Sequence, residues 1–420
     1  MFTNKMTKET KLMSNSNKVI AVAGTWDSKG QELNYLKEVI EDLGVSTYTI
    51  DTGVFAHDYE VDTTNRTLAE SVGEDIEVMR NDNDRGKSMD ILSRGFAEVL
   101  PKLYEEDKFH GVISLGGSGG TTLVASGMQA LPIGVPKVIV STMAASSNGH
   151  TYIGESDIVL FPSIVDVAGL NSISTTIYDN AVKAIVGMVT LEHENIQEAK
   201  PTIAATMFGN TTPAVNYARE YLQDRGYEVL VFHATGSGGR TMEHLIEQGY
   251  FTGVLDLTTT EWNDELLGGI LNAGPTRLEA AANTGTPQVV SVGAVDEINF
   301  GARNSLPEKF QDRNIYQHNP STTLVRTTVE DNKLVGAKIA EQVNKTTGPT
   351  AFLFPLKGNG HLSEEGMPFY DADADEALRQ TITDNLDMEK IEYIELDVHI
   401  NTEEFGVTAA KKLIELIESK

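Results

Sequence analysis

Two stretches of the chain place a Gly-Ser-Gly-Gly tetrad between a buried apolar run and a helical pattern, VISLGGSGGTTLVASGM and VLVFHATGSGGRTMEHL. A glycine turn that opens a helix leaves backbone N–H groups unpaired at the positive end of the helix dipole. Without Cβ atoms, a phosphate can approach those groups closely. Gly116, Gly117, Ser118, Gly119, Gly120 and Thr121 supply such a cradle in the first stretch, and Gly236, Ser237, Gly238 and Gly239 in the second. The same turns would also serve a strand-to-helix connection that binds nothing. Neither is a full P-loop: Gly86-Lys87-Ser88 carries the end of that motif, but position 81 is asparagine and no buried strand precedes it. The second stretch comes nearer the dinucleotide fingerprint. Gly236 and Gly238 are correctly spaced, Thr241 stands for the third glycine, and Asp256 follows about 20 residues on.

Further groups collect at the ends of the apolar runs. After KVIAVAG come Gly24, Thr25, Asp27 and Lys29, and VSTYTID ends on Asp51 with Thr52 next to it. The carboxyl ends of parallel strands line one crevice. There Lys29 would neutralise a phosphate, Asp51 would bond a ribose hydroxyl and Asp27 would hold Mg²⁺ through water. Ser141 and Thr142, followed by Ser146, Ser147 and Asn148, offer hydroxyls at a fourth strand end. In the second half His233 precedes the glycine turn, and Asp256 and Glu261 flank a threonine run, so these three are the candidates for proton transfer. Among later polar residues (Asp296, Asn299, His361, Asp371), Arg326 would clamp a carboxylate or phosphate beside the second loop. His233, Glu261, His318 and His361 lack metal-ligand spacing, and no metal site is expected beyond nucleotide-bound Mg²⁺.

The elements that must position these groups alternate. Strand-like runs at 18–24, 45–51, 111–117, 136–142 and 157–163 are separated by helical periodicities, among them Leu33, Leu36, Val39, Ile40 and Leu43, which Ser28 and Gln31 would open as a capping box. The polar segment 191–201 ends in proline, and alternation resumes with TIAATMF, YEVLVFH, GVLDL, QVVSVG, AFLFPLKG and EYIELDV. The expected fold is α/β: two Rossmann-like domains with mainly parallel sheets, at 18–195 and 201–420, with a cleft between them and a frayed stretch at 1–17. Residues 296–328 show little periodicity and read as a long loop. The repeated tetrad suggests either an old duplication or convergence on one loop solution.

Composition narrows the partners. With 61 acidic against 33 basic residues the net charge is −28, and no basic run offers a nucleic-acid surface. There is no cysteine, and neither a signal-peptide core nor an apolar run of about 18 residues occurs, so a cytoplasmic protein without membrane contact is expected.

At these motifs the chain resembles a known family, the ATP-binding domain of the plant tobamovirus-resistance protein and its bacterial and fungal relatives. The resemblance is carried by GTWDSKGQEL, GVISLGGSGGTTL, LPIGVPKVIVST, YIGESDIVLFPSIVDVAGLNSIS, TMFGNTTPAVNYARE, YEVLVFHATGSGGRTME, GVLDLTTTEWNDELLGG and VVSVGAVDEINFG. It implies two Rossmann-like subdomains, ATP bound by the first at Gly116 to Thr121 with Gly24, Thr25 and Asp27, and a homodimer. Ser28 stands where family members usually carry threonine, which keeps the hydroxyl. The plant protein's barrel-like C-terminal domain has no counterpart in these 420 residues, so its roles do not transfer. Three functions remain: an ATP-dependent enzyme of small-molecule metabolism with its substrate between the domains, a non-catalytic nucleotide-binding regulatory module, or a nicotinamide-dependent oxidoreductase using the second loop.

Overall fold

The computed structural model describes residues 18–82, 84–147, 149–191 and 200–419. The 1–17 stretch, Asn148 and most of the polar segment at 191–201 lie outside the described residues. The chain divides into two units, Met1–Ile196 and Gln197–Lys420.

In the first unit β1 (Val19–Gly24), β2 (Ser46–Asp51), β3 (Gly111–Gly116), β4 (Lys137–Ser141) and β5 (Val159–Pro162) form one sheet in the order β2-β1-β3-β4-β5. Every pairing is parallel. Strand β1 shows why the runs are unbroken: Ile20 and Val22 enter the core beneath helices Trp26–Asp42 and Ser172–Thr190, whereas Ala21 and Ala23 enter the core beneath Arg85–Glu105 and Ser118–Gln129. A strand covered on both faces has no polar side to alternate with. The order is the doubly wound 2-1-3-4-5, in which the chain switches direction between β1 and β3.

The second unit follows the same plan with a longer sheet. Strands β6 (Thr202–Met207), β7 (Glu228–His233), β8 (Gly253–Thr258) and β9 (Gln288–Gly293) belong to a six-stranded parallel sheet. After β10 (Glu297–Phe300), β11 (Ile315–Asn319) and β12 (Thr322–Arg326), the sheet is completed by β13 (Thr350–Pro355) and β14 (Ile391–Leu396) in the order β14-β13-β9-β8-β6-β7. Its switch point is β6/β8.

Three sequence expectations need correction. Residues 296–328 are no plain loop, because β10, β12 and β11 pair as an antiparallel sheet. The strands are four or five residues long, β10 is buried throughout and β11 is mostly polar, so no period-2 signal survives. The first helix starts at Trp26 and not at Ser28. Its Trp26 N–H is met across the fold by Asp51 (3.3 Å), and the Ser28 hydroxyl turns back to Thr25 Oγ1 (2.9 Å), so the capping box does not form. Asp371, read as a loop residue, caps helix Ala372–Asn385 through the Ala374 N–H.

Candidate functional site

The first glycine turn lies where the unit's chain reverses. Helix Ser118–Gln129 begins inside the tetrad with Gly117 at its N-cap, and no side chain caps its first turn. The turn opens on a cavity of about 540 Å³ lined by residues at the ends of β1, β2 and β3, namely Thr25, Asp27, Ser28 and Lys29, Thr52 to Phe55, and Gly116 to Gly120. The start of helix Arg85–Glu105 also lines it, with Arg85, Ser88 and Met89. An Arg85 guanidinium nitrogen sits 3.5 Å from the position a Cβ would take on Gly119. Arg85 is exposed and makes no ion pair among the described residues. At the cavity wall the Thr52 hydroxyl is buried and has no hydrogen-bond partner among the described residues.

The remaining residues expected here divide into lining and support. Asp27 lines the cavity, and its Oδ2 accepts the N–H groups of Val54 (2.9 Å) and Phe55 (2.8 Å). Lys29 also lines it, with its ammonium donating to the Val167 carbonyl. Asp51 is 2% exposed and fully engaged: Oδ1 accepts from Trp26 and Gly53 (2.8 Å), and Oδ2 meets His57 Nε2 at 3.2 Å. Burial pushes its carboxyl up, against the pull of Gly53 and His57. It braces the β2 turn from beneath the cavity-lining residues and is not itself part of the lining. Thr121 and Ser141 are buried and bond each other (2.6 Å), while Thr142 is exposed and its N–H donates to Gly116 (3.3 Å). Gly24 is needed for packing, since a Cβ there would lie 2.8 Å from Leu33. Sequence reading placed Thr52 at this crevice and missed Arg85 and Phe55. Arg85 had a signal, because it immediately precedes the Gly-Lys-Ser triplet that failed the P-loop test. Phe55 had none beyond following a strand end.

The second glycine turn has a different occupant. Its helix, Ser237–Glu247, also starts at the tetrad's serine, but the N–H groups of Gly236 and Gly239 donate to Glu261 Oε1 at 2.7 and 3.2 Å. Glu261 Oε2 accepts from Arg277 Nε at 2.7 Å. Arg277, 1% exposed, also grips both oxygens of Asp256 (2.5 and 2.7 Å) and one of Glu243 (3.0 Å). Burial opposes its charge, but Asp256 and Glu261 more than offset this and hold the guanidinium protonated well above its ordinary range. Asp256 Oδ1 takes the Thr206 hydroxyl as well (2.8 Å). Asp256 and Glu261 are therefore members of a closed ionic cluster.

The other candidates of this unit stand apart from that cluster. His233 is exposed, with its Nδ1 at 3.0 Å from the Met207 carbonyl, and no carboxylate pairs with its ring among the described residues. Arg326 does not reach the second loop. It is buried on β12, where it bonds Phe369 O (2.6 Å), Thr327 (2.6 Å) and Asp375 (2.6 Å). Asp296, just after β9, and Asn299, on β10, are buried, while His318 and His361 are exposed. No three His, Cys, Asp or Glu side chains are grouped to hold a metal among the described residues. Nor is any described helix long and apolar enough to cross a membrane.

Comparison with known proteins places the whole arrangement. Residues 18–194 match the N-terminal domain, and residues 200–417 the C-terminal domain, of the uncharacterised protein family UPF0261. A UPF0261 protein of Clostridium tetani is 46% identical over 403 residues, covering 96% of this chain and 100% of the relative. One from Rhizobium meliloti is 41% identical over 93% of this chain and 97% of its own length. The ToMV resistance protein Tm-1 of Solanum lycopersicum is 39% identical over 96% of this chain, which spans 56% of the tomato protein. With both halves matched in order and full-length relatives this similar, the chain belongs to the UPF0261 family.

Proposed function

We propose that the first unit binds ATP, with its phosphates on the Gly117–Gly120 turn. The observation that carries this reading is the uncapped glycine turn facing a cavity at the sheet's switch point, where open parallel sheets take ligands. A cavity of about 540 Å³ is in the size range of small-molecule sites. Arg85 adds an exposed positive charge beside Gly119. Among the described residues Asp27 Oδ1 accepts no hydrogen bond, which suits it to a Mg²⁺-bound water. The buried Thr52 hydroxyl lacks the partner that a buried polar group ordinarily has, and a ligand in the cavity would supply one. The sequence resemblance to an ATP-binding family points the same way.

The nicotinamide alternative finds little support in the second loop. The turn's amides face Glu261 and both oxygens of Asp256 are held, which leaves no acceptor for a ribose.

Calorimetry with ATP and Mg²⁺ tests the proposal, and Gly117→Ala is the informative variant. A Cβ there meets nothing closer than 3.9 Å and φ is −82°, so the fold accepts it while a phosphate loses its close approach. Saturable heat with the native chain and a loss of at least tenfold in the variant are expected. No heat with the native chain would sink the reading. ADP release in the same samples separates an ATP-dependent enzyme from a nucleotide-sensing module.

A further inference from the structure

A large apolar side chain stands at the cavity in a position that packing does not explain. Phe55 lines the cavity next to Val54, yet it is 54% exposed. The backbone that carries it is held from three sides. Asp27 takes the N–H groups of Val54 and Phe55, Asn65 Nδ2 donates to the Gly53 carbonyl (2.8 Å), and Arg80 Nε donates to the Val54 carbonyl (2.7 Å). Three polar side chains from separate helices thus fix a turn whose product is an aromatic ring left in solvent at a cavity rim. An aromatic held this way loses little freedom when a flat ligand stacks on it.

We infer that Phe55 is the platform for the base of the bound nucleotide, with the nucleoside end against the 52–55 turn and the phosphates reaching Gly117–Gly120. This rests on the nucleotide reading above and adds the end of the ligand that reading leaves open. The glycine turn recognises phosphate of any origin, whereas an aromatic platform selects for a base.

The test compares ATP with inorganic tripolyphosphate on the native chain, Phe55→Ala and Phe55→Trp. Phe55→Ala should weaken ATP roughly ten- to hundredfold, the range seen when a base loses its aromatic partner, and leave tripolyphosphate within about twofold. Phe55→Trp should keep ATP affinity. If Phe55→Ala binds ATP like the native chain while Gly117→Ala does not, the platform is wrong and the nucleotide reading stands. Equal losses for ATP and tripolyphosphate would overturn the platform too, since the ring would then be acting on the turn. Native chain that binds neither ligand would remove the nucleotide reading itself.

Discussion

The turns at Gly117–Gly120 and Gly236–Gly239 have the same four residues, each follows a parallel strand, and each helix begins at the tetrad's serine. They differ in what faces the amides. In the first unit the turn follows β3, the third strand of its unit, at the switch point, and opens on a cavity. In the second it follows β7, an edge strand and the second of its unit, and is closed by Glu261. The loops are not topological equivalents, which favours convergence over duplication for the tetrad. The counterpart of the first loop is the segment after β8, and that segment supplies Glu261. A glycine turn thus offers an anion site, and a residue from another strand end decides whether the anion is a ligand or a side chain.

Arginine replacement breaks the comparison most strongly. Arg277 is the buried cation that balances Asp256, Glu261 and Glu243. Removing one partner of a buried ion cluster leaves uncompensated charge, so Arg277→Met should cost about 3–5 kcal/mol, read as a lowered urea midpoint of the second unit. An unchanged midpoint would show that Glu261 closes the loop without the arginine.

Equivalent glycines sharpen the contrast. A Cβ on Gly120 meets nothing closer than 3.9 Å, whereas on Gly239 it would meet Glu261 Oε1 at 2.5 Å. Gly239→Ala should destabilise by about 1–3 kcal/mol as the carboxylate is displaced. Gly120→Ala should leave thermal stability within about 1 kcal/mol of native, because alanine suits a helix better than glycine. Similar losses at both positions would mean that the first turn is also closed in solution.

The buried strands were legible because the same runs are apolar throughout, and the two parallel sheets followed from their alternation with helices. The first loop was legible because what it offers is backbone amides, which glycine content reveals. Arg85 and Phe55 were not, since each reaches the cavity from a segment far in sequence, and only the sheet order brings β2, β3 and the start of helix Arg85–Glu105 together. The second loop misled for a related reason. Nothing local to Gly236–Gly239 shows that Glu261 will turn inward, and Arg277, which holds it there, lies in a stretch, Asn272 to Thr276 and beyond, with little periodicity.

Charge kept inside the second unit should also show in its pH response. Asp264, on the Glu261 helix, accepts from the Leu271 and Asn299 N–H groups, and burial pushes its carboxyl up to about 7 from an ordinary 3.8. The folded state therefore keeps a proton that the unfolded chain releases between about pH 4 and 7, so this contribution to stability is full below pH 4 and declines as the pH rises through 7. Denaturant midpoints of the second unit should be higher at pH 5 than at pH 7.5 by about 1–2 kcal/mol in stability. The difference should shrink in Asp264→Asn. A midpoint that rises over this interval would refute the assignment.

The smallest effect concerns the other arginine. Each loop has one: Arg277 is buried and holds the side-chain anion in place, while Arg85 is exposed beside Gly119 without an ion-pair partner among the described residues. On the proposed reading its contribution goes to the ligand and not to the fold. Arg85→Ala should leave the ligand-free melting temperature unchanged and weaken ATP about tenfold, the effect of one charge-assisted contact to phosphate. Arg85→Lys should fall between, since an ammonium keeps the charge and loses the planar fork. Because the charge is exposed, added salt should erode the native affinity more than that of Arg85→Ala. A variant that melts lower and binds ATP as before would make Arg85 a second Arg277, a structural cation, and the difference between the two loops would then lie in Glu261 alone.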